Sequence, residues 1–421
     1  MRFLHISDLH FGKTVHGVSM LENGDQGFWV DRFLEKTAEL KPDAVLIAGD
    51  VYDRSSPSGE AVTLLSRLLT SLADLSVPVM MVAGNHDSSP KLSFVRDLLG
   101  RQRLYISAPL EGSPDLVRVT LEDDFGPVDF WLMPYVFPAL AARALNADSD
   151  AFGFPDNETA VRALLGRQKI DLTRRNILVA HQYVTAEGFE GMRGGSESAV
   201  GGVGQVDVSA FDAFDYVALG HIHAAYSVGR ESVRYAGSPL CYDFNELRQP
   251  EKGPLLVELG GKRDGGPVPI RWQTVVIPPL HPMRVLRGTF AELRDAELAN
   301  PRTGEYLKLI LTDRRLTPET ASFFESLFTE RGSVLMDRAS EYSPFGNGSD
   351  ASEPHAARQR SVEELFAEFW SRSSGGDGPS ERDFALLSRA GEITRRSDAK
   401  GEPTQDDIRA ILDFLTEEGD A

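Results

Sequence analysis

The chain has 421 residues, of which 41% are hydrophobic and 25% are charged, as in a globular protein with more than one domain. Its formal net charge is −19, so the sequence shows no basic patch with which to hold a nucleic acid unaided. The sequence starts without a signal-peptide pattern, has no apolar run of membrane-spanning length and contains one cysteine, Cys241. These features predict a cytoplasmic protein with neither a membrane segment nor a disulfide framework.

Short apolar runs alternate with helical patterns from the first residue to about residue 280. Because these runs are apolar throughout and do not alternate with polar residues, each predicts a strand that is covered on both faces. Between them, Ser58–Leu75 and Leu92–Leu99 carry apolar residues at helical spacing. The pattern predicts a sandwiched α/β domain over residues 1–280. Its predicted strands are MRFLHIS, DAVLIAGD, VPVMMVAGNHD, NILVAHQ, FDYVALGHIH and VRYAGSPL.

A cluster of three prolines, Pro278, Pro279 and Pro282, marks a predicted domain boundary. The β-α-β-α-β pattern that follows predicts a small domain over residues 281–340. Its predicted strands cover 283–286, 306–312 and 334–338, and its predicted helices cover 290–298 and 318–328. Residues 341–360 are polar and predict a linker.

The last segment, residues 361–421, has three helix-start patterns, each followed by a short amphipathic stretch. Three short helices behind a linker cannot bury their own apolar faces well. We therefore expect the segment to dock on a partner, with packing against the body of the same chain as the alternative. The patterns are Ser361 with Glu364, Ser380 with Asp383, and Thr404 with Asp407.

Metal-binding side chains follow five of the predicted strands. In open α/β sheets, ligand sites lie beyond the carboxyl ends of the strands, so these side chains are predicted to meet in one crevice. So many nitrogen and oxygen ligands at strand ends are not expected by chance. The seven candidate ligands are Asp8, His10, Asp50, Asn85, His181, His221 and His223.

Seven candidates exceed the needs of one metal ion, but with one bridging carboxylate they give each of two ions four protein ligands. Two ions about 3.5–4 Å apart can clamp an in-line displacement at phosphorus. No cysteine is among the candidates, which argues against structural zinc. Imidazole, carboxylate and amide oxygen suit manganese, iron or zinc.

The motifs D-x-H, GD-x-x-D, GNHD, a single His and GHxH occur here in the order that is typical of the calcineurin-like metallophosphoesterases, which this sequence resembles. Within that superfamily, HISDLHFG, AGDVYDR, AGNHDS, YVALGHIH, VRYAGSPL, HPMRVLRG and SVEELF are similar to segments of the SbcD nuclease subunits of bacterial SbcCD complexes. The resemblance covers nearly the whole chain and is denser before residue 290. It implies a four-layer α/β/β/α sandwich over 1–280, a small α+β capping domain over 281–340 and a helical tail over 361–421.

The resemblance also implies a role for each motif residue. His86 would be the catalytic residue that stabilises or protonates the leaving 3′ oxygen. Asp87 would orient His86, with a helix cap as the alternative role. The family's usual metal is Mn²⁺, and two such ions are implied. One would be bound by Asp8, His10, Asp50 and His223, and the other by Asp50, Asn85, His181 and His221, with Asp50 as the bridge.

The implied function is that of a DNA single-strand endonuclease and double-strand exonuclease in DNA repair, recombination and replication. An SbcC-type coiled-coil ATPase would dock on residues 361–421, gate duplex DNA and add the basic surface that this chain lacks. The predicted helices Ser58–Leu75 and Leu92–Leu99 would join two copies as a homodimer within a heterotetramer. Packing of these helices on their own sheet is the alternative.

Other functions stay open at this point. Arg54 in GDVYDR resembles the phosphate-gripping arginine of phosphoprotein phosphatases, so a phosphatase or small phosphodiesterase is the alternative function. Those phosphatases usually carry GNHE, whereas this chain has GNHD. Arg193 in the glycine-rich loop Ala186–Gly204 is a candidate DNA contact, and a flexible connector is the other interpretation. A protein that mainly assembles an ATPase is a third hypothesis, which the intact ligand set disfavours.

Overall fold

The computed structural model describes residues 1–110, 113–145, 154–186, 204–249, 251–262, 266–342 and Ser380. The chain divides into two units, Met1–Tyr342 and Ser343–Ala421. Arg193, most of the predicted linker and the predicted tail helices lie outside the described residues. Within the described ranges, no helix combines the length and the apolar character that crossing a membrane requires.

The described part of the first unit consists of strands joined by helices and loops. The strands, in chain order, are β1 (Arg2–Ile6), β2 (Thr14–Val15), β3 (Val18–Ser19), β4 (Ala44–Ala48), β5 (Val79–Val82), β6 (Leu104–Ile106), β7 (Val117–Asp123), β8 (Gly126–Met133), β9 (Arg175–His181), β10 (Tyr183–Thr185), β11 (Gln205–Asp207), β12 (Tyr216–Gly220), β13 (Ser227–Val228), β14 (Arg230–Tyr235), β15 (Leu255–Leu259), β16 (Ile270–Thr274), β17 (Met283–Gly288), β18 (Tyr306–Leu311) and β19 (Val334–Ser340). The α-helices are α1 (Asp25–Leu40), α2 (Gly59–Asp74), α3 (Ser89–Leu92), α4 (Arg96–Gly100), α5 (Pro138–Ala144), α6 (Asn157–Arg167), α7 (Phe290–Ala299) and α8 (Pro318–Thr329). Val208–Phe211 and Phe244–Arg248 form 3₁₀ helices.

Two six-stranded sheets form the body of this unit. The first has the order β16-β15-β1-β4-β5-β6 and the second has the order β13-β14-β12-β9-β8-β7. In the first sheet, β1, β4, β5 and β6 are parallel, and in the second, β14, β12, β9 and β8 are parallel. The six strands that the apolar runs predicted are all present, and they lie in the parallel parts of the two sheets.

The two sheets pack face to face. Phe3 and Leu46 of the first sheet and Phe130 and Tyr216 of the second are buried in the core between them. Helices α1 and α2 cover the outer face of the first sheet, and α5 and α6 cover the outer face of the second. Both faces of each sheet are therefore apolar, which explains the uninterrupted hydrophobic runs. The predicted α/β/β/α sandwich is confirmed.

Helix α2 begins where the sequence predicts it, because the Ser58 hydroxyl accepts a hydrogen bond from the Ala61 amide. Its apolar face packs on its own sheet. The prediction of a single helix over Leu92–Leu99 is wrong, because the structure has two short helices, α3 and α4, in this region. Val95 has a φ of 56° and separates α3 from α4. An apolar spacing cannot reveal such a left-handed residue, which breaks the helix.

The small sheet β17-β18-β19 follows the sandwich and matches the predicted β-α-β-α-β pattern. Its strands are all parallel and α7 and α8 connect them, so its connectivity is that of an α/β unit. Leu309 and Phe324 lie in its separate core. A buried carboxylate, Asp25 of α1, accepts hydrogen bonds from Tyr306 Oη at 2.6 Å and from His281 Nδ1 at 2.9 Å, which tie this sheet to the sandwich.

Truncation of Phe130 to alanine should lower the free energy of unfolding by about 3–5 kcal/mol, since it opens a cavity between the sheets. The side chain is fully buried and its ring lies edge-on to Phe3, with centroids 6.4 Å apart. Urea denaturation measures the change. Leu172→Ala, at a residue that is 59% exposed, is the control and should leave the transition nearly unchanged. Equal stability of the two variants would contradict this account of the core.

Candidate metal centre

The carboxyl ends of the central strands of both sheets meet at one edge of the sandwich. Asp8, Asp50 and Asn85 follow β1, β4 and β5 of the first sheet. His181 ends β9, and His221 follows β12 of the second sheet. Hydrogen bonds and close contacts connect all seven sequence-predicted ligands into a single cluster. Each sheet supplies part of this candidate centre, so its assembly requires the packed sandwich.

One half of the cluster surrounds His10. Its Nε2 lies 3.2 Å from Nε2 of His223 and 3.7 Å from Oδ2 of Asp50. A carboxylate oxygen of Asp8 and ring nitrogens of His10 and His223 lie within 4.8 Å of one another. These atoms belong to the four residues that the family resemblance assigns to one metal ion.

The other half of the cluster surrounds Asn85. Its Oδ1 lies 3.0 Å from His181 Nε2 and 3.0 Å from His221 Nδ1. Oδ2 of Asp50 lies 3.3 Å from His181 Nε2, and the same oxygen approaches His10. Asp50 therefore stands between the two halves, as a bridging carboxylate must.

The distances between the ligand atoms are those expected around divalent cations. His181 Nδ1 donates to the Ala48 carbonyl oxygen at 2.8 Å, so Nε2 is the nitrogen that faces the Asn85 oxygen and can carry either a proton or a metal ion. Two ligands bound at about 2.1 Å to one metal, at angles near 90–110°, would lie about 3.0–3.4 Å apart. The distances of 3.2 Å between His10 and His223 and of 3.0 Å from Asn85 to His181 and to His221 match that value, and the 3.7 Å from His10 to Asp50 is slightly longer.

The charges of the cluster support the same interpretation. Burial disfavours a charged imidazole and lowers the pKa of His10, and burial with the neighbouring His181 lowers the pKa of His221 to about 4. For His181, burial opposes protonation, but the Asp50 and Asp8 carboxylates outweigh it and raise the pKa to about 9. Burial likewise opposes ionisation of Asp50, yet His181 and its neighbours hold the pKa of this carboxyl well below its usual range. The negative potential that favours a proton here would favour a metal ion in its place.

The backbone around the cluster is strained. Asp8, His10, Asp50 and His221 have φ values of 54°, 45°, 47° and 104°, in the region that residues with side chains rarely adopt. Strain of this kind is concentrated at functional sites, where surrounding packing holds it in place.

Two motif glycines permit the close approach of the loops. A Cβ on Gly84, before Asn85, would lie 2.1 Å from Asp50 Oδ1. A Cβ on Gly220, before His221, would lie 1.9 Å from the Ala48 carbonyl oxygen. The glycines of GNHD and GHIH are therefore required by contact with the neighbouring strand end.

His86 stands at the half-buried side of the cluster. Its backbone amide donates to Asp50 Oδ1 at 2.9 Å, and its ring lies perpendicular to that of His10, with centroids 4.9 Å apart. The ring Nδ1 donates to the Asp53 carbonyl oxygen at 2.9 Å, which leaves Nε2 as the nitrogen that can act on a substrate. The Asp53 backbone, rather than the expected Asp87 carboxylate, therefore orients this ring.

Asp87 organises the loops instead. Its carboxylate accepts hydrogen bonds from the backbone amides of Val51, Tyr52 and Gly84 at 3.1, 2.9 and 2.9 Å. The alternative role as a helix cap is wrong as well, because Ser88 occupies the cap position of α3. Burial and the nearby charge of Asp50 raise the pKa of Asp87 to about 6. Asp87 thus fixes the loop after β4 against the loop after β5.

The motif arginine lies at the surface. The side chain of Arg54 is 80% exposed, and its Nε is 3.8 Å from Oδ2 of Asp53. Asp53 itself has a carboxylate oxygen within 4.8 Å of ring nitrogens of His10 and His86. This aspartate is the last residue of the GD-x-x-D motif, but its place in the sequence did not identify it as a site residue. Arg193, the other candidate contact for DNA, lies outside the described residues.

Glu246 is a site residue that no motif indicated. Its Oε1 lies 2.9 Å from His223 Nδ1, and its Oε2 lies 2.8 Å from Lys252 Nζ and accepts from the Ser238 hydroxyl at 3.1 Å. Burial opposes its ionisation, but His223 and Lys252 lower the pKa of Glu246 to about 2. The ionised Glu246 accepts the Nδ1 proton of His223, so the Nε2 lone pair points into the cluster.

A family model of the calcineurin-like phosphoesterases matches residues 1–225, which contain all seven candidate ligands. The chain belongs to this family. The match covers the sandwich up to the loop after β12 and includes His86 and Asp87. The order of motifs and the observed α/β/β/α architecture agree with this membership.

Two curated relatives share a more specific description, the D subunit of the SbcCD nuclease. The chain is 31% identical to the one from Staphylococcus saprophyticus, over 73% of this chain and 77% of the relative. It is 29% identical to the one from Staphylococcus epidermidis, over 74% of this chain and 79% of the relative. The solved structure of the calcineurin-like phosphoesterase YfkN from Bacillus subtilis is 12% identical, with a TM-score of 0.36 over 66% of this chain and 88% of that one.

Substitution of Glu246 by glutamine should weaken Mn²⁺ binding about 10- to 100-fold, because His223 loses the charged partner that fixes its tautomer. Isothermal titration calorimetry with MnCl₂ measures the affinity, and circular dichroism checks that the variant is folded. Glu258→Gln is the matched control, since that side chain is 51% exposed on β15 and pairs with Arg2. Unchanged Mn²⁺ affinity in Glu246→Gln would remove this residue from the site.

Proposed function

We propose that this chain is a metal-dependent DNA nuclease, the nuclease component of an SbcCD-type complex in DNA repair. It would hydrolyse phosphodiester bonds with two divalent ions, which we expect to be Mn²⁺, as a single-strand endonuclease and a double-strand exonuclease. The observation that carries the proposal is the position of Asp50 Oδ2 between two sets of ligand atoms, 3.7 Å from His10 and 3.3 Å from His181. The descriptions of the two relatives support the choice of DNA.

The protein groups have separate roles in this mechanism. Asp8, His10, Asp50 and His223 would hold one ion, and Asp50, Asn85, His181 and His221 the other. When bound, the two cations supply the positive charge that offsets the negative charge accumulating on the phosphate. Because Nδ1 of His86 is engaged with the Asp53 carbonyl, Nε2 is the ring nitrogen that faces the reaction, and in the imidazolium form of the ring it would donate to the leaving 3′ oxygen.

The charge of the chain supports a role for a partner. With a net charge of −19, the chain is poorly suited to attract a polyanion over a long surface. We propose that an SbcC-type ATPase, docked on residues 361–421, supplies the basic surface and controls access of duplex DNA. In the same proposal, residues 281–340 act as a capping domain.

The surface near α3 and α4 supports a homodimer. Phe94 and Leu98 are 73% and 60% exposed, and Val62 of α2 is 46% exposed. Large exposed apolar side chains favour contact with another protein. A second copy of the chain, within a heterotetramer, is the proposed partner.

Removal of the bridging carboxylate or the catalytic histidine should abolish DNA cleavage. Asp50→Asn and His86→Ala are each expected to lower the rate on a single-stranded oligonucleotide with Mn²⁺ by about 100-fold or more, and EDTA should stop the wild type. His16→Ala, at an exposed histidine of the hairpin β2-β3, is the control.

Cleavage by His86→Ala at the wild-type rate would exclude its catalytic role. Turnover of phosphopeptide with no cleavage of DNA would instead favour the phosphatase alternative that Arg54 suggests.

Deletion of residues 361–421 should remove binding to an SbcC-type ATPase and leave the Mn²⁺-dependent cleavage of single-stranded DNA in place. Co-purification of the two proteins and size-exclusion chromatography measure the association. Full-length Asp50→Asn is the reciprocal control, because it should bind the ATPase and fail to cleave. Undiminished association of the truncated chain would refute the docking role of this segment.

A further inference from the structure

A cavity of about 190 Å³ lies beside the candidate metal centre. Gly84 lines it, and the next residue, Asn85, is one of the candidate ligands. The opposite wall comes from the segment after β8, where Tyr135 and Phe137 line the cavity. We name this cavity the Tyr135 pocket. It takes no part in the proposed roles of the metal-centre residues.

The aromatic wall of the Tyr135 pocket is held rigidly against the ligand loop. The Tyr135 backbone amide donates to the Ala83 carbonyl oxygen at 2.8 Å, and its hydroxyl accepts from Asn157 Nδ2 at 3.4 Å. Its ring centroid lies 6.2 Å from that of His221 and 6.3 Å from that of His181. A group bound in this pocket would therefore lie one side chain away from the proposed metal ions.

Phe137 extends the wall towards solvent. Its ring packs edge-on against Tyr135, with centroids 4.7 Å apart, yet its side chain is 44% exposed. A half-exposed phenylalanine beside a polar centre leaves an apolar face that a planar ring can cover. Leu110 and Leu140 add apolar surface behind it.

The remaining wall is polar. Ser88 and Ser89 line the cavity together with Asp87, whose carboxylate oxygens are held by backbone amides. A hydroxyl can donate to or accept from the polar edge of a heterocycle. The pocket thus combines aromatic and aliphatic walls with hydroxyl groups, which suits a planar ring that has apolar faces and a polar edge.

We propose that the Tyr135 pocket binds the nucleobase of the nucleotide that flanks the scissile phosphate, with Phe137 as its stacking surface. This inference rests on the proposed nuclease function, since the metal centre must hold the phosphate while the base of the same nucleotide enters the pocket. A base that is stacked and paired in a duplex cannot enter such a cavity. The substrate at the moment of cleavage is therefore an unpaired nucleotide, in a single strand or at a frayed end. Stacking on an aromatic ring accepts all four bases, so the pocket imposes little sequence preference.

The test maps cleavage along a 5′-labelled single-stranded oligonucleotide that carries one abasic residue, with full-length protein and Mn²⁺. The wild type should cut the phosphate next to the abasic residue roughly ten-fold more slowly than the other phosphates, because the stacked base is missing. Phe137→Ala should cut all phosphates roughly ten-fold more slowly and lose this discrimination. Phe137→Trp should keep it.

Phe125→Ala is the matched control, since this exposed phenylalanine lies just before β8, at the opposite end of the strand from Tyr135, and should behave as the wild type does. Uniform cleavage across the abasic position by the wild type would overturn the pocket assignment and leave the proposed nuclease function in place. This measurement uses the wild type only, so it does not depend on the folding of a variant. Absence of any DNA cleavage by the wild type would overturn the proposed function and the pocket assignment with it.

Discussion

The buried carboxylate of Asp50 is the interaction on which the candidate site depends. Its two oxygens are shared among groups from both sheets, since Oδ2 faces His10 and His181 while Oδ1 accepts from the His86 amide. A carboxylate buried to this extent is stable only when opposite charge surrounds it. The packing of one sheet on the other provides that surrounding, so the sandwich and its chemistry cannot be separated.

Much of the fold and of the candidate site could be predicted from the sequence, because the burial of the strands on both faces constrains which residues they contain. Strands that are buried on both faces must be apolar throughout, so the polar residues that follow them are easily recognised, as Asp50 is after DAVLIAG. Close packing of the strand ends also requires glycine, which marks the GNHD and GHIH motifs. The apolar stripe of Ser58–Leu75 is equally local and predicted α2, whose start is fixed by the hydrogen bond from the Ala61 amide to the Ser58 hydroxyl.

The parts that were missed depend on contacts between residues far apart in the chain. Glu246 follows His223 by 23 residues and approaches it only because the 3₁₀ helix folds back, which no periodic pattern records. The direction of a side chain is similarly hidden: Asp87 was expected to face His86, but the amides of Val51, Tyr52 and Gly84 take its oxygens. The left-handed turn at Val95 has no compositional signal at all.

The attachment of the small sheet at Asp25 has a mechanical consequence. The next residue along α1, Gln26, donates from Nε2 to the carbonyl oxygen of His10 at 2.8 Å. Tyr306 of the small sheet and His10 of the metal-ligand loop are thus held by two consecutive residues of one helical turn. A displacement of the small sheet that moves Asp25 would also move Gln26, which is hydrogen-bonded to the His10 backbone. The first turn of α1 therefore couples the position of the small sheet to that of the His10 loop.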